Sequence, residues 1–307
     1  MFSAVEKMLT DYAKTIGFDA AVVIAANSPG TFPFFQNWIQ TGKHAGMNYL
    51  AKNVDARSHP NSVLSGVKSL VMLAAKYQTV LNSEQALQNA FFDENADGKI
   101  ASYACGLDYH IWFRQRFALL REYHKKHFPQ GKCRGVVDTA PLLERQFAAD
   151  AGIGFVGKNT MLINPNWGSR FFLGVFLSTE DLPTNAAKLP NSVGCGDCRQ
   201  CLDACPCGAL EAPYTLNAEK CINYWTIESR DAIPGTIREK LGQNVFGCEI
   251  CQNACPWNKP KESASGWISK TVFEQMSAEE FEQKFFQTPL FRTSLERILE
   301  VFNNDPN

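Results

Sequence analysis

The apolar positions in the first half of the chain follow two different spacings. Apolar residues recur at helical spacing over residues 2–16, 34–41 and 108–127, which predicts three helices with one apolar side each. Continuous apolar runs at residues 20–26 and 67–75 are typical of buried strands. Because helices and strands alternate without strict βαβ repetition, we predict a mixed domain of α+β type.

The remaining sequence patterns up to residue 178 are mostly shorter. A brief apolar run at 135–137 predicts a strand, and Pro141 is expected to begin a helix soon after it. Residues 160–164 and 170–178 flank a Pro-Asn-Trp-Gly turn, so they predict a β-hairpin. The polar stretch at residues 81–99 predicts a surface loop or a short helix.

Two proline residues and several small polar residues mark a boundary. Pro183 and Pro190 lie in the stretch 182–193, which reads as a linker. Residues 278–286 and 294–302 have helical patterns at the end of the chain. We therefore predict three parts: a first domain over 1–182, a cysteine-rich domain over 183–262 and a helical tail over 263–307.

Composition narrows the class of protein. Of the 307 residues, 45% are hydrophobic and 20% are charged, as in ordinary globular proteins. The formal net charge of −1 gives no sign of a strongly basic nucleic-acid-binding domain. No signal peptide and no membrane-length apolar run are visible, and eleven cysteines without an export signal favour a reducing compartment. We expect a cytoplasmic protein that has no membrane partner.

Most of the cysteines fall in two short runs. The first reads Cys195-Gly-Asp-Cys198-Arg-Gln-Cys201-Leu-Asp-Ala-Cys205-Pro, the C-x2-C-x2-C-x3-C-P pattern of two-cluster ferredoxins. The second run lacks one cysteine of that pattern, and Cys221 lies between the runs to supply it. Because the cysteine before proline ligates the other cluster, we predict two [4Fe–4S] clusters, one held by Cys195, Cys198, Cys201 and Cys255 and the other by Cys205, Cys221, Cys248 and Cys251.

Other uses of these cysteines agree less well with the pattern. Zinc ribbons also use C-x2-C pairs, but each metal ion needs only four ligands. A disulfide framework is typical of short secreted chains, and this chain is long. Three cysteines remain outside both runs' ligand sets, and we expect Cys105, Cys133 and Cys207 to be small buried hydrophobic residues. For Cys105 a role beside the substrate stays open.

Several stretches together resemble one family. Residues 137–145 read Val-Asp-Thr-Ala-Pro-Leu-Leu-Glu-Arg, and residues 151–160 read Ala-Gly-Ile-Gly-Phe-Val-Gly-Lys-Asn-Thr. Residues 246–258 read Phe-Gly-Cys-Glu-Ile-Cys-Gln-Asn-Ala-Cys-Pro-Trp-Asn. With the two cysteine runs, these stretches closely resemble the epoxyqueuosine reductase family, over nearly the whole chain.

The resemblance implies a fold and a reaction. It implies a nitroreductase-like domain that binds cob(II)alamin, then a ferredoxin-like domain with two [4Fe–4S] clusters and a short helical tail. The family removes the epoxide oxygen of epoxyqueuosine at the tRNA wobble position and leaves queuosine. Two electrons and two protons enter and one water leaves. The implied partners are tRNA carrying epoxyqueuosine in its anticodon loop and a low-potential electron donor, and we expect a monomer.

Asp138 matches the proton donor of that family. It follows the apolar residues Val136 and Val137, so its carboxyl group could be desolvated, which would raise its pKa and keep a proton available. The alternative from the residues alone is that Asp138 caps the helix expected at Pro141.

The resemblance also implies contacts with cobalamin. Glu249 stands where aspartate is more usual, and Asn223 stands where serine is common. His110 is expected to form hydrogen bonds at the start of its helix or in the pocket, rather than to bind cobalt. The positions that match cofactor contacts of the family are Arg57, Asp138, Leu162, Leu173, Asn223, Ile227, Cys248 and Glu249.

Longer members of the family carry helical repeats that help to hold tRNA, and this sequence stops before them. A tRNA surface would then use residues near the second cysteine run, either as phosphate-binding cations or as stacking aromatic rings. The alternatives are a solvated charged face and ordinary buried tryptophans. The candidates are Arg230, Arg238, Lys240, Lys259, Lys261, Trp225 and Trp257.

Two other functions stay open at this point. One is a cobalamin-dependent reductase that acts on a small epoxide or organohalide. The other is a plain electron carrier, although two clusters need only a short segment and the first domain would then have no use.

Overall fold

The structure is a computed structural model that describes residues 2–83, 96–258 and 266–303. The elements of its first part are, in chain order, α1 (Phe2–Thr15), β1 (Ala20–Ala25), α2 (Phe32–Gln40), α3 (Asn48–Ala51), β2 (Ser69–Lys76), α4 (Tyr77–Leu81), β3 (Gly98–Ile100), α5 (Tyr109–His127), β4 (Cys133–Val136), α6 (Glu144–Asp150), β5 (Phe155–Val156), β6 (Leu162–Ile163) and β7 (Phe171–Ser178). Short 3-10 helices cover Val54–Ser58, Pro60–Ser62 and Ser102–Ala104.

The second part consists of short elements. They are, in chain order, α7 (Gln200–Asp203), β8 (Leu210–Ala212), β9 (Thr215–Leu216), a 3-10 helix (Ala218–Lys220), a π-helical turn (Tyr224–Glu228), α8 (Gly235–Arg238), β10 (Asn244–Phe246), α9 (Ile250–Asn253), β11 (Gly266–Ile268), α10 (Lys270–Glu274), α11 (Ala278–Phe285), a 3-10 turn (Pro289–Arg292) and α12 (Leu295–Phe302). No helix in the described ranges has both the length and the apolar character that a membrane crossing requires.

A four-stranded antiparallel sheet forms the centre of the first part. Its strand order is β1-β2-β7-β4, and Val71 of β2 pairs with Val23 of β1 and Phe176 of β7. Side chains of a strand alternate between the two faces. Val71 therefore joins the core that includes Trp112 of α5, whereas the next residue of β2, Met72, joins a second core on the other face. Both faces are covered, which explains why β2 reads as a continuous apolar run.

The structure confirms several predicted elements. The first helix, the strands β1 and β2, the long helix α5 and the two tail helices α11 and α12 form where the apolar spacing predicted them. The expected linker at 182–193 contains no helix or strand. The predicted loop or helix at 81–99 lies mostly at 84–95, outside the described residues, and its last residues belong to β3.

The helix predicted after Pro141 is present as α6, but it begins three residues later, so only its predicted start was wrong. Thr139 N–H donates to the Val137 carbonyl at 2.6 Å, and Leu142 N–H donates to the Ala140 carbonyl at 2.8 Å. These tight turns occupy the backbone groups that a helix would need. Leu142 is buried in the sheet core, and α6 begins only at Glu144.

The predicted hairpin of residues 160–164 and 170–178 was also wrong. β7 pairs with β2 and β4, and β6 pairs with β5. Only the bridge between Asn164 and Gly168 remains of the expected pairing. β2 and β4 occupy the two hydrogen-bonding edges of β7, so neither edge is left for β6, its neighbour in the sequence.

A three-stranded sheet joins distant parts of the chain. β3 pairs with β10 in parallel and with β11 in antiparallel orientation. The core beneath it includes Ile100, Phe246 and Phe285, which come from the three predicted parts. The boundaries after residues 182 and 262 stay a prediction, and the structure adds that one hydrophobic core spans them. β11 was not predicted.

Arg292 connects the C-terminal tail to α5 through an ion pair with Asp108. Its guanidinium donates to both oxygens of Asp108 at 2.6 and 2.7 Å. Asp108 is the N-cap of α5 and accepts from His110 N–H at 2.8 Å. Burial raises the pKa of Asp108, but the hydrogen bonds from His110 and the charge of Arg292 outweigh it and hold that pKa below its usual value.

Neighbouring leucines of α5 test the packing of the first core. Leu120 is fully buried and Leu119 is 41% exposed. We expect Leu120→Ala to lower the free energy of unfolding by about 2–5 kcal/mol, because it removes packed methyl groups and leaves a cavity. Leu119→Ala is the matched control, with an expected change within about 0.5 kcal/mol. Anaerobic denaturant unfolding measures both, and equal losses would contradict the assigned faces of α5.

A second pair of variants tests the fastening of the tail. Arg292→Met leaves Asp108 without its charged partner, so we expect a loss of about 1–3 kcal/mol in unfolding free energy. The control is Lys270→Met, which removes only the surface ion pair with Glu274; its expected cost is below about 0.5 kcal/mol. Thermal unfolding of the wild type and the two variants measures their stability. An Arg292→Met protein as stable as Lys270→Met would refute the role of the contact between Arg292 and Asp108.

Candidate active site

Asp138 lies on the loop that leaves β4, and its backbone has a positive φ. Its φ is +60°, in the left-handed region that non-glycine residues seldom occupy. Its side chain is 65% exposed, so the expected desolvation of this carboxyl group was wrong. The alternative of a helix cap was wrong as well, since α6 follows Leu143 and shows no side-chain cap.

Tyr109 orients the carboxylate of Asp138. Its hydroxyl group donates to Asp138 Oδ2 at 2.7 Å. Burial and the nearby charge of Asp138 both raise the pKa of Tyr109, so the phenol keeps its proton and remains a donor. Arg292 lies behind it, with its guanidinium nitrogen 3.4 Å from the Tyr109 oxygen. His110 Nε2 is 3.9 Å from Asp138 Oδ2, and His110 Nδ1 is 3.0 Å from Asp108 Oδ1 at the start of α5, but His110 does not line the pocket.

An open pocket of about 330 Å³ begins at Asp138. Leu162 of β6 and Leu173 of β7 contribute to its apolar wall, and three phenol rings stand around it. The mixture of aliphatic, aromatic and acidic side chains suits a large organic ligand. The residues that line it are Tyr77, Tyr103, Tyr109, Val137, Asp138, Glu144, Arg145, Met161, Leu162, Ser169, Phe171, Phe172 and Leu173.

Glu144 is a pocket residue that the sequence did not single out. Its Oε1 atom is buried and has no hydrogen-bond partner. Burial, together with the charge of Asp138, raises the pKa of Glu144 to about 8, against the opposing effects of its own backbone N–H, Arg145 and Arg57. The available signal was an acidic residue directly after Leu142 and Leu143, within the stretch that carries the family resemblance.

Four of the predicted ligand thiols surround one cavity. This cavity has a volume of about 260 Å³ and is lined by Cys195, Cys198, Cys201 and Cys255, the set assigned to the first cluster. Lys158 braces its rim, because its ammonium group donates to the carbonyls of Gly196 at 2.6 Å and Cys198 at 2.9 Å. The folded chain thus brings this predicted set together.

The other four thiols form a second group. Burial is the first cause that raises the pKa values of Cys221, Cys248 and Cys251, and the charges of the other thiols in the set raise them further; for Cys248 the value reaches about 11. The charge of Cys205 contributes to the raised pKa of each of the three, so Cys205 lies near all of them. Binding of metal would replace these protons, which is how thiolate sites normally form.

The leftover cysteines differ from one another. Cys207 is half-buried against the shared core, and it also lies near Cys205, Cys221 and Cys248. Cys105 is buried in that core, where its sulfur accepts from Gly266 N–H at 3.0 Å. It does not line the pocket, so the structure gives it no place beside a substrate. Cys133 is half-buried in β4.

The residues expected to contact cobalamin from the cysteine-rich side are not among the residues that line the pocket. Asn223 Oδ1 accepts from Cys248 N–H at 2.6 Å. Ile227 packs on the shared core and lies close to Gly247. Glu249 is turned away from the surface, since Ser102 N–H donates to its carboxylate at 2.9 Å and the Ser102 hydroxyl also donates to it.

Arg57 lies near the acidic end of the pocket. Its guanidinium stands 5.3 Å from the centre of the Phe35 ring, and it donates to the Leu50 carbonyl at 3.4 Å. Its positive charge acts to lower the pKa of Glu144, so the two side chains lie near each other. Arg57 is therefore close to the pocket, although it is not among the residues that line it.

The predicted tRNA-binding residues have varied surroundings. Arg230 donates to the carbonyls of Ile227 and Arg292, and Arg238 donates to the carbonyl of Ile233. Lys240 is exposed, whereas Lys259 and Lys261 lie outside the described residues.

The two candidate tryptophans are not free rings. Trp225 is buried in the shared core and its indole N–H donates to the Glu219 carbonyl, so the alternative of ordinary packing applies to it. Trp257 is half-buried against Phe155 and lines the thiol cavity.

One short strand separates the thiol cavity from the pocket. Leu162 and Ile163 are consecutive residues of β6. Leu162 lines the pocket, and Ile163 lines the cavity of Cys195. Because successive side chains of a strand point to opposite sides, a single backbone layer divides the two spaces at this point.

Comparisons with known proteins agree with this geometry. Residues 57–139 match the family model described as epoxyqueuosine reductase QueG, DUF1730, and residues 194–258 match a 4Fe-4S double cluster binding domain. A relative named epoxyqueuosine reductase from Cyclobacterium marinum is 36% identical and covers 96% of this chain and 95% of its own. One from Pseudomonas aeruginosa is 34% identical, over 95% of this chain and 82% of its own.

Solved structures of similar proteins have the same fold. A crystal structure of epoxyqueuosine reductase with an epoxyqueuosine-modified tRNA-Tyr stem loop has a TM-score of 0.84 at 26% identity, covering 98% of this chain and 80% of that one. The enzyme from Streptococcus thermophilus has a TM-score of 0.85 at 25% identity, with 98% and 81% covered. In a Bacillus subtilis structure with a TM-score of 0.83 at 26% identity, covering 98% and 81%, an aspartate-bearing catalytic loop is swung out of the active site.

Relatives at 36% and 34% identity cover nearly all of this chain, and residues 57–139 match the family model, so the chain belongs to the epoxyqueuosine reductase family.

Proposed function

We propose that this protein reduces epoxyqueuosine to queuosine at the wobble position of tRNA, with cobalamin as the cofactor and two [4Fe–4S] clusters as the electron supply. The observation that carries the proposal is the shared wall at Leu162 and Ile163. It puts a pocket containing an acidic residue next to a cavity lined by four thiols. A redox enzyme needs this arrangement, because electrons must reach the reacting centre over a short distance.

The pocket residues fit cobalamin chemically. Leu162, Leu173 and Phe172 offer an apolar surface for the corrin ring, and Arg57 offers a cation near the acidic end for amide or phosphate groups. On the other side, Asn223, Ile227 and the backbone of Cys248 would face the cofactor, while Glu249 would act through Ser102 rather than directly. The first domain, over 1–182, would then be the nitroreductase-like part.

The cysteines would hold the two clusters in the two predicted sets. Cys195, Cys198, Cys201 and Cys255 would bind one cluster, and Cys205, Cys221, Cys248 and Cys251 the other. The ferredoxin-like part would span 183–262, and the tail over 263–307 would complete the core and supply Arg292. Cys207 would be a neighbour of the second cluster without being a ligand.

The chemistry balances as a two-electron, two-proton reduction. Both bonds from carbon to the epoxide oxygen break, a carbon–carbon double bond forms and the oxygen leaves as water. Bound cobalamin supplies the reducing power at its metal centre. Asp138 would give a proton to the epoxide oxygen, and its exposed position on the pocket loop lets a bulky tRNA substrate reach it. The Tyr109 hydroxyl group would hold Oδ2 in place, so that the other oxygen carries the proton.

The expected partners follow from this reaction. They are tRNA with epoxyqueuosine in its anticodon loop and a low-potential electron donor. We further propose that the protein acts in the cytoplasm as a monomer.

Replacement of Asp138 tests both the reaction and the proton donor. Asp138→Asn keeps the size of the side chain but removes its acid, so we expect conversion to fall about 10²–10⁴-fold, the usual contribution of general acid catalysis. Asp11→Asn, on the exposed side of α1, is the control and should convert as wild type does.

The assay uses protein loaded anaerobically with iron, sulfide and cobalamin, a low-potential reductant and tRNA carrying epoxyqueuosine. Nucleoside mass spectrometry then measures queuosine. Full activity of the Asp138 variant would remove its assigned role and keep the enzyme. Conversion of a small epoxide, with no conversion of the tRNA, would favour the alternative function.

The cysteine assignment predicts unequal effects of two substitutions. Wild type should bind about eight iron atoms per chain, as two [4Fe–4S] clusters require. Cys251→Ser removes a ligand, and we expect about four iron atoms to remain. Cys207→Ser should keep all of them, although Cys207 lies beside the same group of thiols. Iron analysis and electron paramagnetic resonance measure both, and iron loss in the Cys207 variant would overturn the assignment.

A further inference from the structure

The proposed reaction consumes two protons, and Asp138 can hold only one at a time. A second proton must therefore reach the pocket before the oxygen leaves as water. This need rests on the proposed function, and it directs attention to other acids in the pocket. Glu144 is the lining residue that meets the need, because both it and Asp138 face the same space.

The surroundings of Glu144 differ from those of a structural carboxylate. A buried carboxyl group is normally paired or hydrogen-bonded, since burying a lone polar atom is costly. Glu144 Oε1 is buried without a partner, even though two arginines are near. Arg145 directs its guanidinium to the Thr160 carbonyl at 2.6 Å, and Arg57 directs its own to Leu50. Neither arginine forms an ion pair with Glu144 among the described contacts.

We propose that Glu144 is the second proton-supplying residue of this site, and that it passes its proton to Asp138 after Asp138 has protonated the epoxide oxygen. The first proton turns the opened epoxide oxygen into a hydroxyl group. Asp138, now a carboxylate, receives the proton of Glu144. Asp138 then gives that proton to the hydroxyl group, which leaves as water, and Glu144 recovers a proton from solvent. No oxidant or reductant beyond the two electrons of the reaction is needed.

Burial and the charge of Asp138 keep the proton of Glu144 in place while Asp138 is a carboxylate. The groups that face it are Asp138 from the loop after β4, Arg145 from its own helix and Arg57 from the 3-10 helix at Val54–Ser58. When Asp138 is charged, its repulsion adds to burial and raises the pKa of Glu144 to about 8. Glu144 thus holds its proton at neutral pH and loses it as the pH rises above that value.

Substitution of Glu144 should alter the pH profile as well as the rate. In wild type, conversion should fall as the pH rises through about 8, because Glu144 then has no proton to give. We expect Glu144→Gln to convert about 10²-fold more slowly at neutral pH and to lack this fall. Glu144→Asp keeps an acid at this position and should restore part of the rate and the fall with pH. Glu122→Gln, on the exposed side of α5, is the matched control.

A second readout does not depend on activity. Carbon-13 NMR of protein labelled at glutamate follows the titration of Glu144, and the signal missing from the Glu144→Gln spectrum identifies it. We expect a titration near 8 in the wild type. Asp138→Asn removes the neighbouring negative charge, so the titration of Glu144 should shift to lower pH.

The outcomes separate the inference from the proposed function. A Glu144→Gln protein with the rate and pH profile of wild type would overturn the inference and leave the function intact. A Glu144 signal that titrates at the ordinary value for glutamate would overturn it independently. Failure of wild type to convert epoxyqueuosine, with both clusters and cobalamin bound, would overturn the proposed function itself.

Discussion

The pairing of β7 with both β2 and β4 is the constraint on which the site depends. Val136, the last paired residue of β4, lies opposite Val175 of β7. The chain leaves the sheet two residues later at Asp138, close to the β7 residues Phe172 and Leu173 that line the pocket. Because β7 is held between two strands, the position of the loop is set by a ladder of backbone hydrogen bonds. A reactive carboxyl group on an exposed loop is thereby anchored two residues from the central sheet.

The site divides its tasks between buried and exposed groups. Asp138 is accessible, whereas Tyr109 and the Oε1 atom of Glu144 are buried. Exposure allows a macromolecular substrate to approach Asp138, and burial keeps the protons on Tyr109 and Glu144. The cost is a left-handed backbone at Asp138, a strained conformation of the kind found at functional sites.

The spacing of apolar residues within short stretches predicted many of the helices and strands. It failed where the structure depends on contacts between residues far apart in the sequence. The apolar spacing of α5 and the continuous run of β2 were sufficient because each is nearly complete in one stretch of sequence. The hairpin prediction failed because the partners of β7 are β2 and β4 rather than the neighbouring β6. Likewise, Arg292 lies 183 residues from Tyr109, and no local signal connects them. The two sets of thiols could be predicted because the number and spacing of the cysteines are visible in the sequence. The exposure of Asp138 and the burial of Glu144 Oε1 depend on the folded structure, so the sequence could not show them.

The sheet of β3, β10 and β11 has a consequence for how the protein is made. β3 is synthesised early in the chain, yet its partners Asn244–Phe246 and Gly266–Ile268 leave the ribosome more than a hundred residues later. Until then Ile100 and its neighbours have no apolar cover, and contacts so far apart in sequence form slowly. The cysteines of the second group lie between these strands in the sequence. Cys251 and Cys255 are the last members of the two predicted thiol sets, so neither set is complete before this late part of the chain has been made.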